Sequence, residues 1–226
     1  MFDDDFAGLN FWPAFADFML ALLLVFVIAF GIAHLTPAGI TTETARDCQK
    51  ILESRFRDRY QSGSLAGRQV QFRADPQNPF LLRIRFQDQL LFDEDDAELR
   101  LEGNRVLGSL AHIIRGQLDS IREIQIHGHA DTRTSRKYKS NLHLAAERAN
   151  SVFGFLRASG IDPGHRTMST TSYGEFFPAT RTIDDQAWNS ARIGRENRSA
   201  GQRQLNRRVE LLLFYGEHAR PCADSR

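Results

Sequence analysis

Residues 123–159 read EIQIHGHADTRTSRKYKSNLHLAAERANSVFGFLRAS, and the change of period inside them decides the fold. Glu123–His129 alternates polar and apolar residues, which predicts a strand with one buried face. Lys137–Ser159 instead repeats at three- and four-residue spacing. Leu144, Ala145, Ala149, Val152 and Leu156 form the inner stripe of a long amphipathic helix. A turn at Gly160–Gly164 leads to a strand near Thr167–Tyr173. A polar, Arg-rich loop of about thirty residues follows, and a last strand covers Arg208–Phe214.

The same alternation extends upstream. Leu90–Phe92 reads as extended chain, then DEDDAEL, then a helical stretch, LRLEGNRVLGSLAHIIRGQL. Before it, Gln69–Arg73 and Phe80–Phe86 are extended around the turn Asp75-Pro76-Gln77-Asn78-Pro79. Residues 43–60 place Ala45, Cys48, Leu52 and Phe56 on one helical face, a candidate contact between paired subunits, and Gln61-Ser62-Gly63-Ser64 breaks that helix. Alternating elements with a long final loop imply an α/β sandwich, a mixed sheet packed with helices.

From Phe11 to Leu35 the chain runs FWPAFADFMLALLLVFVIAFGIAHL, 25 residues without Lys, Arg or Glu. At 1.5 Å per residue this is roughly 37 Å of helix, enough to cross a bilayer with some tilt, and Thr36-Pro37 and Gly39 end it. A secretory signal would open on basic residues. This one opens MFDDD, so the expectation is an uncleaved single span. Asp17 lies inside that run, where a carboxylate costs about 2.5–3.5 kcal/mol, and such residues mark ion paths. A carboxylate near a helix end can also reach back to the interface with no transport role.

Residues 1–40 hold four Asp and no Lys or Arg. The rest carries 29 basic against 24 acidic residues, a net of +5. That mild excess suits an anionic polymer or membrane surface and falls short of a nucleic-acid binder's basic patch. The nearest basic residues (Arg46, Lys50, Arg55, Arg57, Arg59) all follow the span, so the positive-inside rule alone would put the C-terminal part in the cytoplasm. Cys48 and Cys222 flank the globular part. One disulfide and two free thiols are equally open.

Five motifs in order carry a resemblance: LFDEDDAEL, Gly128-His129-Ala130-Asp131, Asn141–Ala149, Tyr173-Gly174-Glu175 with Pro178, and Asn206–Glu210. From about Leu90 to Tyr215 the sequence resembles the OmpA-type peptidoglycan-binding domain. The resemblance implies that Asp131 and Arg148 grip the diaminopimelate of the wall peptide. A carboxylate takes its ammonium and a guanidinium fork takes its carboxylate, with Asn141 on the loop between them shaping the pocket. Ala130 and Ala145 stand where the family has threonine and serine. The Asp131–Asn141 loop is about two residues longer than usual, with Arg133, Arg136 and Lys137 added.

The segment PAFADFM, followed by LALLLVFVIAF, is similar to the helix of MotB-type stator subunits, whose ion-carrying aspartate falls on Asp17. Together the two resemblances imply the B-subunit of an ion-driven motor in the bacterial inner membrane, with no cofactor beyond a transported H⁺ or Na⁺. The implied partners are a multi-span A-subunit of MotA type, five around two B-subunits, a second copy of this chain, and peptidoglycan. Within that class the short acidic tail and compact linker resemble the B-subunit of Zorya anti-phage defence more than a flagellar stator subunit. The expected organisation is a cytoplasmic tail (1–10), the transmembrane helix (11–35), a periplasmic linker (36–89), the OmpA-like domain (90–216) and a C-terminal tail (217–226). A plain wall anchor and a wall-cleaving enzyme are the rival readings. Against the enzyme, no Ser-His-Asp or Cys-His constellation with supporting context occurs. His127, His129 and Asp131 recur at i, i+2 and i+4, a spacing that could present metal ligands on one strand face. The domain pattern already accounts for His129 and Asp131, so no metal is assigned. Arg207 and Arg208 are read as a structural ion pair and a solvated face.

Overall fold

Helical and extended stretches in this chain sort by which faces they can bury. The computed structural model describes residues 12–35, 42–60, 69–182, 187–216 and Cys222. The chain divides into two units, Met1–Ala38 and Gly39–Arg226. The 1–10 tail, the stop at 36–39, the break at 61–64 and the rest of the C-terminal tail lie outside the described residues.

The first unit holds helix α1, Trp12–Leu35. Apart from Asp17, its described side chains are apolar, and its large ones are exposed, the pattern of a helix suited to lipid. Residues Trp12–Gly31 have a mean hydropathy of 2.5 and form a helix long and apolar enough to cross a membrane.

The second unit runs α2 (Thr42–Arg59), β1 (Val70–Ala74), β2 (Leu81–Gln87), a single turn α3 (Asp88–Leu91), α4 (Leu101–Arg115), β3 (Ile121–His129), α5 (Asn141–Ala158), β4 (Thr167–Gly174), α6 (Ser190–Arg195), α7 (Ala200–Asn206) and β5 (Arg208–Tyr215). One sheet takes the order β1-β2-β5-β3-β4. β5 lies antiparallel between β2 and β3, whereas β3 and β4 are parallel and α5 supplies the crossover that parallel neighbours need. The mixed sheet and single-sided helices agree with the α/β expectation. The hairpin of the segment read as a linker supplies the first two strands of that sheet.

Alternation along the strands builds the core. Ile84, Leu211 and Ile126 are register neighbours across β2, β5 and β3, and all three are fully buried on the helix side. Gly128 continues this face. A Cβ there would collide with the Ala145 carbonyl of α5 and approach its carbon to 2.7 Å, so α5 rests directly on strand backbone. The opposite face carries Arg83, Arg85, Glu210 and His127.

Four details depart from the sequence expectations. Leu90 and Leu91 lie in the helical turn α3, not a strand, and only Phe92 makes an extended bridge, to Leu99. Residues 137–140 stay outside α5, because the Ser140 hydroxyl accepts from His143 N at 3.1 Å and starts the helix there. The Arg-rich loop contains two helices, capped by Asn189 and by a Ser199–Gln202 capping box. Finally, α2 does not keep its apolar face for a partner subunit. Ala45, Cys48, Leu52 and Phe56 enter this chain's own core, and Phe56 packs on Phe72 of β1 at 5.1 Å.

Cys48 of α2 and Cys222 are joined in a disulfide across 174 residues, with Cα atoms 5.3 Å apart. Cross-linking so long a loop restricts the unfolded chain by an amount on the order of 5 kcal/mol. Cys222→Ser should therefore lower Tm in oxidising buffer by about 10–20 °C, and reduction of the wild type should produce the same shift. Gly128→Ala should cost about 3 kcal/mol by overpacking against backbone that cannot turn aside, read as a lower denaturant midpoint.

Candidate functional site

At the end of β3 the register with β4 slips between Gly128 and His129, so His129 pairs with Gly174 and the chain turns out of the sheet at Ala130-Asp131. This delivers Asp131 to a cavity of about 770 Å³. Its walls come from α3, the 93–96 loop, the 131–136 loop, α5, and Arg207 between α7 and β5.

The two wall loops are tied by Asp95, which has φ 56°. Aspartate tolerates this left-handed conformation better than most residues. Its carboxylate accepts from Ser135 Oγ at 2.6 Å, Arg136 N at 2.8 Å and Lys137 N at 3.1 Å. Ser135, Arg136 and Lys137 therefore fold back on the acidic motif.

Asp131, Asn141 and Arg148, the three residues singled out from sequence, all line this cavity. Asn141 is the first residue of α5, not a loop residue. Its amide is used internally, with Nδ2 donating to Asp131 O at 3.0 Å and Oδ1 accepting from Ser135 N at 3.1 Å. It holds both ends of the loop. Arg148 is 1% exposed. Its Nε donates to Asp96 O at 2.8 Å and Nη2 to Asp93 O at 3.4 Å, while the guanidinium lies 5.2 Å from the Phe92 ring centre. The two hydrogen bonds use Nε and one hydrogen of Nη2, leaving one hydrogen on Nη2 and both on Nη1, which faces Asp88.

Sequence reasoning missed Asp88, Arg207 and Arg133 as cavity residues. Asp88, in the one-turn α3, has no motif around it; its Oδ1 lies 2.9 Å from Arg148 Nη1 as an ion pair without hydrogen-bond alignment. Burial pushes the Asp88 carboxyl up to about 6 against the pull of Arg148, and burial likewise lowers Arg148 from its usual value. Both shifts run against the charged forms, so the pair does not recover its full desolvation cost. Arg207 is no solvated face: it donates through Nη1 to Asp131 Oδ2 and sits 3.8 Å from Asp88.

The metal geometry read along β3 does not form. β3 ends at His129, and Asp131 turns away into the cavity. Glu210 of β5 instead joins His127 and His129, with ligand atoms within 4.8 Å of one another. Glu210 is claimed by Arg83 at 2.7 Å, Arg85 at 3.0 Å and Arg208 at 2.7 Å, so a cation placed there would face three guanidinium groups. Arg208, only 2% exposed, is a structural partner of Glu210 with no solvated face.

Residues 91–193 match the OmpA family. The chain thus carries an OmpA-like sheet-and-helix domain behind one N-terminal apolar helix. It is structurally similar to a MotB-like protein from Desulfovibrio vulgaris, at 21% identity and TM-score 0.60, covering 77% of this chain and 99% of that one. The cell wall anchor of the T6SS from Pseudomonas aeruginosa is similar at 24% identity and TM-score 0.52, covering 72% and 96%. At these identities the likeness is one of fold. In sequence, 136 residues are 28% identical to outer membrane protein A of Bordetella avium, 60% of this chain and 59% of that protein. Seventy residues are 34% identical to the peptidoglycan-associated lipoprotein of Haemophilus influenzae, 31% of this chain and 43% of that protein. The chain spans only those parts of these two relatives.

Asp88 gives the site a pH signature. Its folded value, about 6, lies above the ordinary 3.8, so its stabilising contribution is complete below pH 3.8 and is lost as pH rises through 6. His127, depressed by burial to about 4, and His129, depressed well below 6.5 for the same reason, act oppositely and lose stability as pH falls from 6.5. Asp88→Asn removes only the first effect. Relative to wild type, its Tm should fall more steeply between pH 7 and pH 4; parallel Tm profiles would contradict the assignment.

Proposed function

We propose that this protein is the B-subunit of an ion-driven motor in the bacterial inner membrane, held to peptidoglycan by its OmpA-like domain. The observation that carries the reading is the convergence of Asp131 and Arg148 on one cavity, offering a carboxylate and a guanidinium to a ligand that bears both an ammonium and a carboxylate. The diaminopimelate side chain of wall peptides is such a ligand. The peptidoglycan-associated lipoprotein among the relatives and the cell wall anchor among the similar structures support the same polymer. The Cys48–Cys222 disulfide supports an oxidising compartment, the periplasm, for residues 42–222, against the arginine count that points inward.

The motor half rests on α1. Asp17 sits among apolar side chains with Ala14 and Ala21 at i−3 and i+4, where small residues let a partner helix or water come close. In the proposed mechanism, H⁺ or Na⁺ binds and leaves Asp17 at the contact with a ring of A-subunits. The ring turns about a pair of B helices, and wall attachment keeps the pair still. Two tethered domains need only modest affinity each, because the second grip is intramolecular. The Zorya defence setting rests on the tail and linker resemblance alone, and phage challenge of cells carrying or lacking the locus tests it.

Two measurements separate motor from anchor. In detergent-solubilised full chain, Asp131→Asn or Arg148→Lys should weaken sedimentation with purified peptidoglycan by about 2 kcal/mol, roughly thirtyfold, for the loss of a charge-assisted hydrogen bond. Lysine replaces Arg148 here because alanine would strand buried Asp88. Asp17→Asn should leave sedimentation unchanged and abolish ion flux when the chain is reconstituted with its A-subunit. Undiminished flux would remove Asp17 as the ion carrier, and no flux from the wild-type complex would leave a plain wall anchor.

A further inference from the structure

The acidic wall of the cavity is already occupied by a cation from the chain itself. Asp131 is 3% exposed, and both its oxygens are in use. Oδ1 accepts from Arg133 N at 2.9 Å, while Oδ2 accepts from Arg133 Nε at 3.0 Å and from Arg207 Nη1. A carboxylate oxygen offers two lone pairs, so Oδ2 has none left for an incoming ammonium. Around the whole cavity five carboxylates (Asp88, Asp93, Glu94, Asp95, Asp131) stand against five guanidinium groups (Arg100, Arg133, Arg136, Arg148, Arg207), so the lining is balanced before any ligand arrives. In this state Asp131 Oδ2 is closed to an amine, and only Oδ1 keeps a lone pair.

The two guanidinium groups on Asp131 are not equally held. Arg207 has an exposure of 24% and a second buried carboxylate nearby in Asp88. Arg133 is 50% exposed, and its Nη1 contacts Glu94 Oε1 at 2.9 Å, on a side chain 79% exposed. Swinging outward, Arg133 can keep Glu94 and lose only Asp131. It is the partner that can leave.

Resting on the assignment of this cavity to diaminopimelate, we propose that Arg133 is an internal competitor for the ammonium end of the wall peptide. It occupies the Asp131 position until a ligand displaces it onto Glu94, and it thereby sets how strongly the domain distinguishes peptides with a free amine from those whose amine is blocked. Arg133 is a specificity residue from the lengthened loop, acting through its hold on Asp131.

The test uses two probes on the full chain in detergent: a tripeptide ending in meso-diaminopimelate, and the same peptide acetylated on its distal amine. Removing a charge-assisted competitor should raise affinity for the free-amine peptide by about tenfold or more in Arg133→Ala, with the acetylated peptide within about twofold of wild type. Arg133→Lys, which keeps a cation at this position, should stay near wild type. Because each variant is read as a ratio of two affinities, partial misfolding cancels. An unchanged ratio in Arg133→Ala overturns the proposal and leaves the cavity assignment standing. Weaker free-amine binding in that variant overturns it by making Arg133 a direct ligand contact. Failure of wild type and Arg133→Ala to bind either peptide removes the cavity assignment, and the proposal with it.

Discussion

The absence of one side chain, at Gly128, sets where everything else can lie. With no Cβ at that position, α5 settles onto the backbone of β3, the Ala145 carbonyl against the strand. That contact places the start of α5 beside the turn that follows β3, so Asp131, Asn141 and Arg148, distant along the helix and loop, share one cavity. The same approach makes α5 the crossover between the parallel strands β3 and β4. The binding geometry and the sheet topology therefore depend on one backbone contact.

Buried charge is arranged differently on the two sides of that frame. Beneath the sheet's polar face, Glu210 is held by Arg83, Arg85 and Arg208; burial pushes its carboxyl up, but Arg208 and Arg85 override this and hold it well below the usual range. This cluster is closed upon itself and structural. In the cavity, Asp88 is driven up and Arg148 down by burial, which marks a set of charges incompletely satisfied by the protein alone. A zwitterionic ligand completes such a set where a metal ion could not. The contrast explains why one cluster is read as scaffold and the other as site.

Much of the domain was legible before its structure. The alternating run of β3 and the apolar stripe of α5 appear where their periods put them, because each element buries one face against the other. Asp131 and Arg148 were legible through motif resemblance. Asp88 was not, since a one-turn helix after a strand has no period and its partner is 60 residues away in sequence. Arg207 was read as part of a structural ion pair, and it forms one, but nothing local reveals that its partner is Asp131. In the 190–206 region the Asn189 and Ser199–Gln202 caps were present as signals, but an Arg-rich composition without an apolar stripe concealed two short helices.

Local pattern by itself determined the apolar helix with its lone carboxylate and the strand and helix periods. Those follow from spacing along the chain, which governs which faces are greasy and which are polar. Tertiary structure alone decided that Cys48 meets Cys222, that α2 packs into its own domain, that Glu210 replaces Asp131 beside the histidines, and that Arg133 lies on the Asp131 carboxylate. Each of these is a contact between residues far apart in sequence or on loops whose path is set by side-chain hydrogen bonds, and neither kind leaves a period to read.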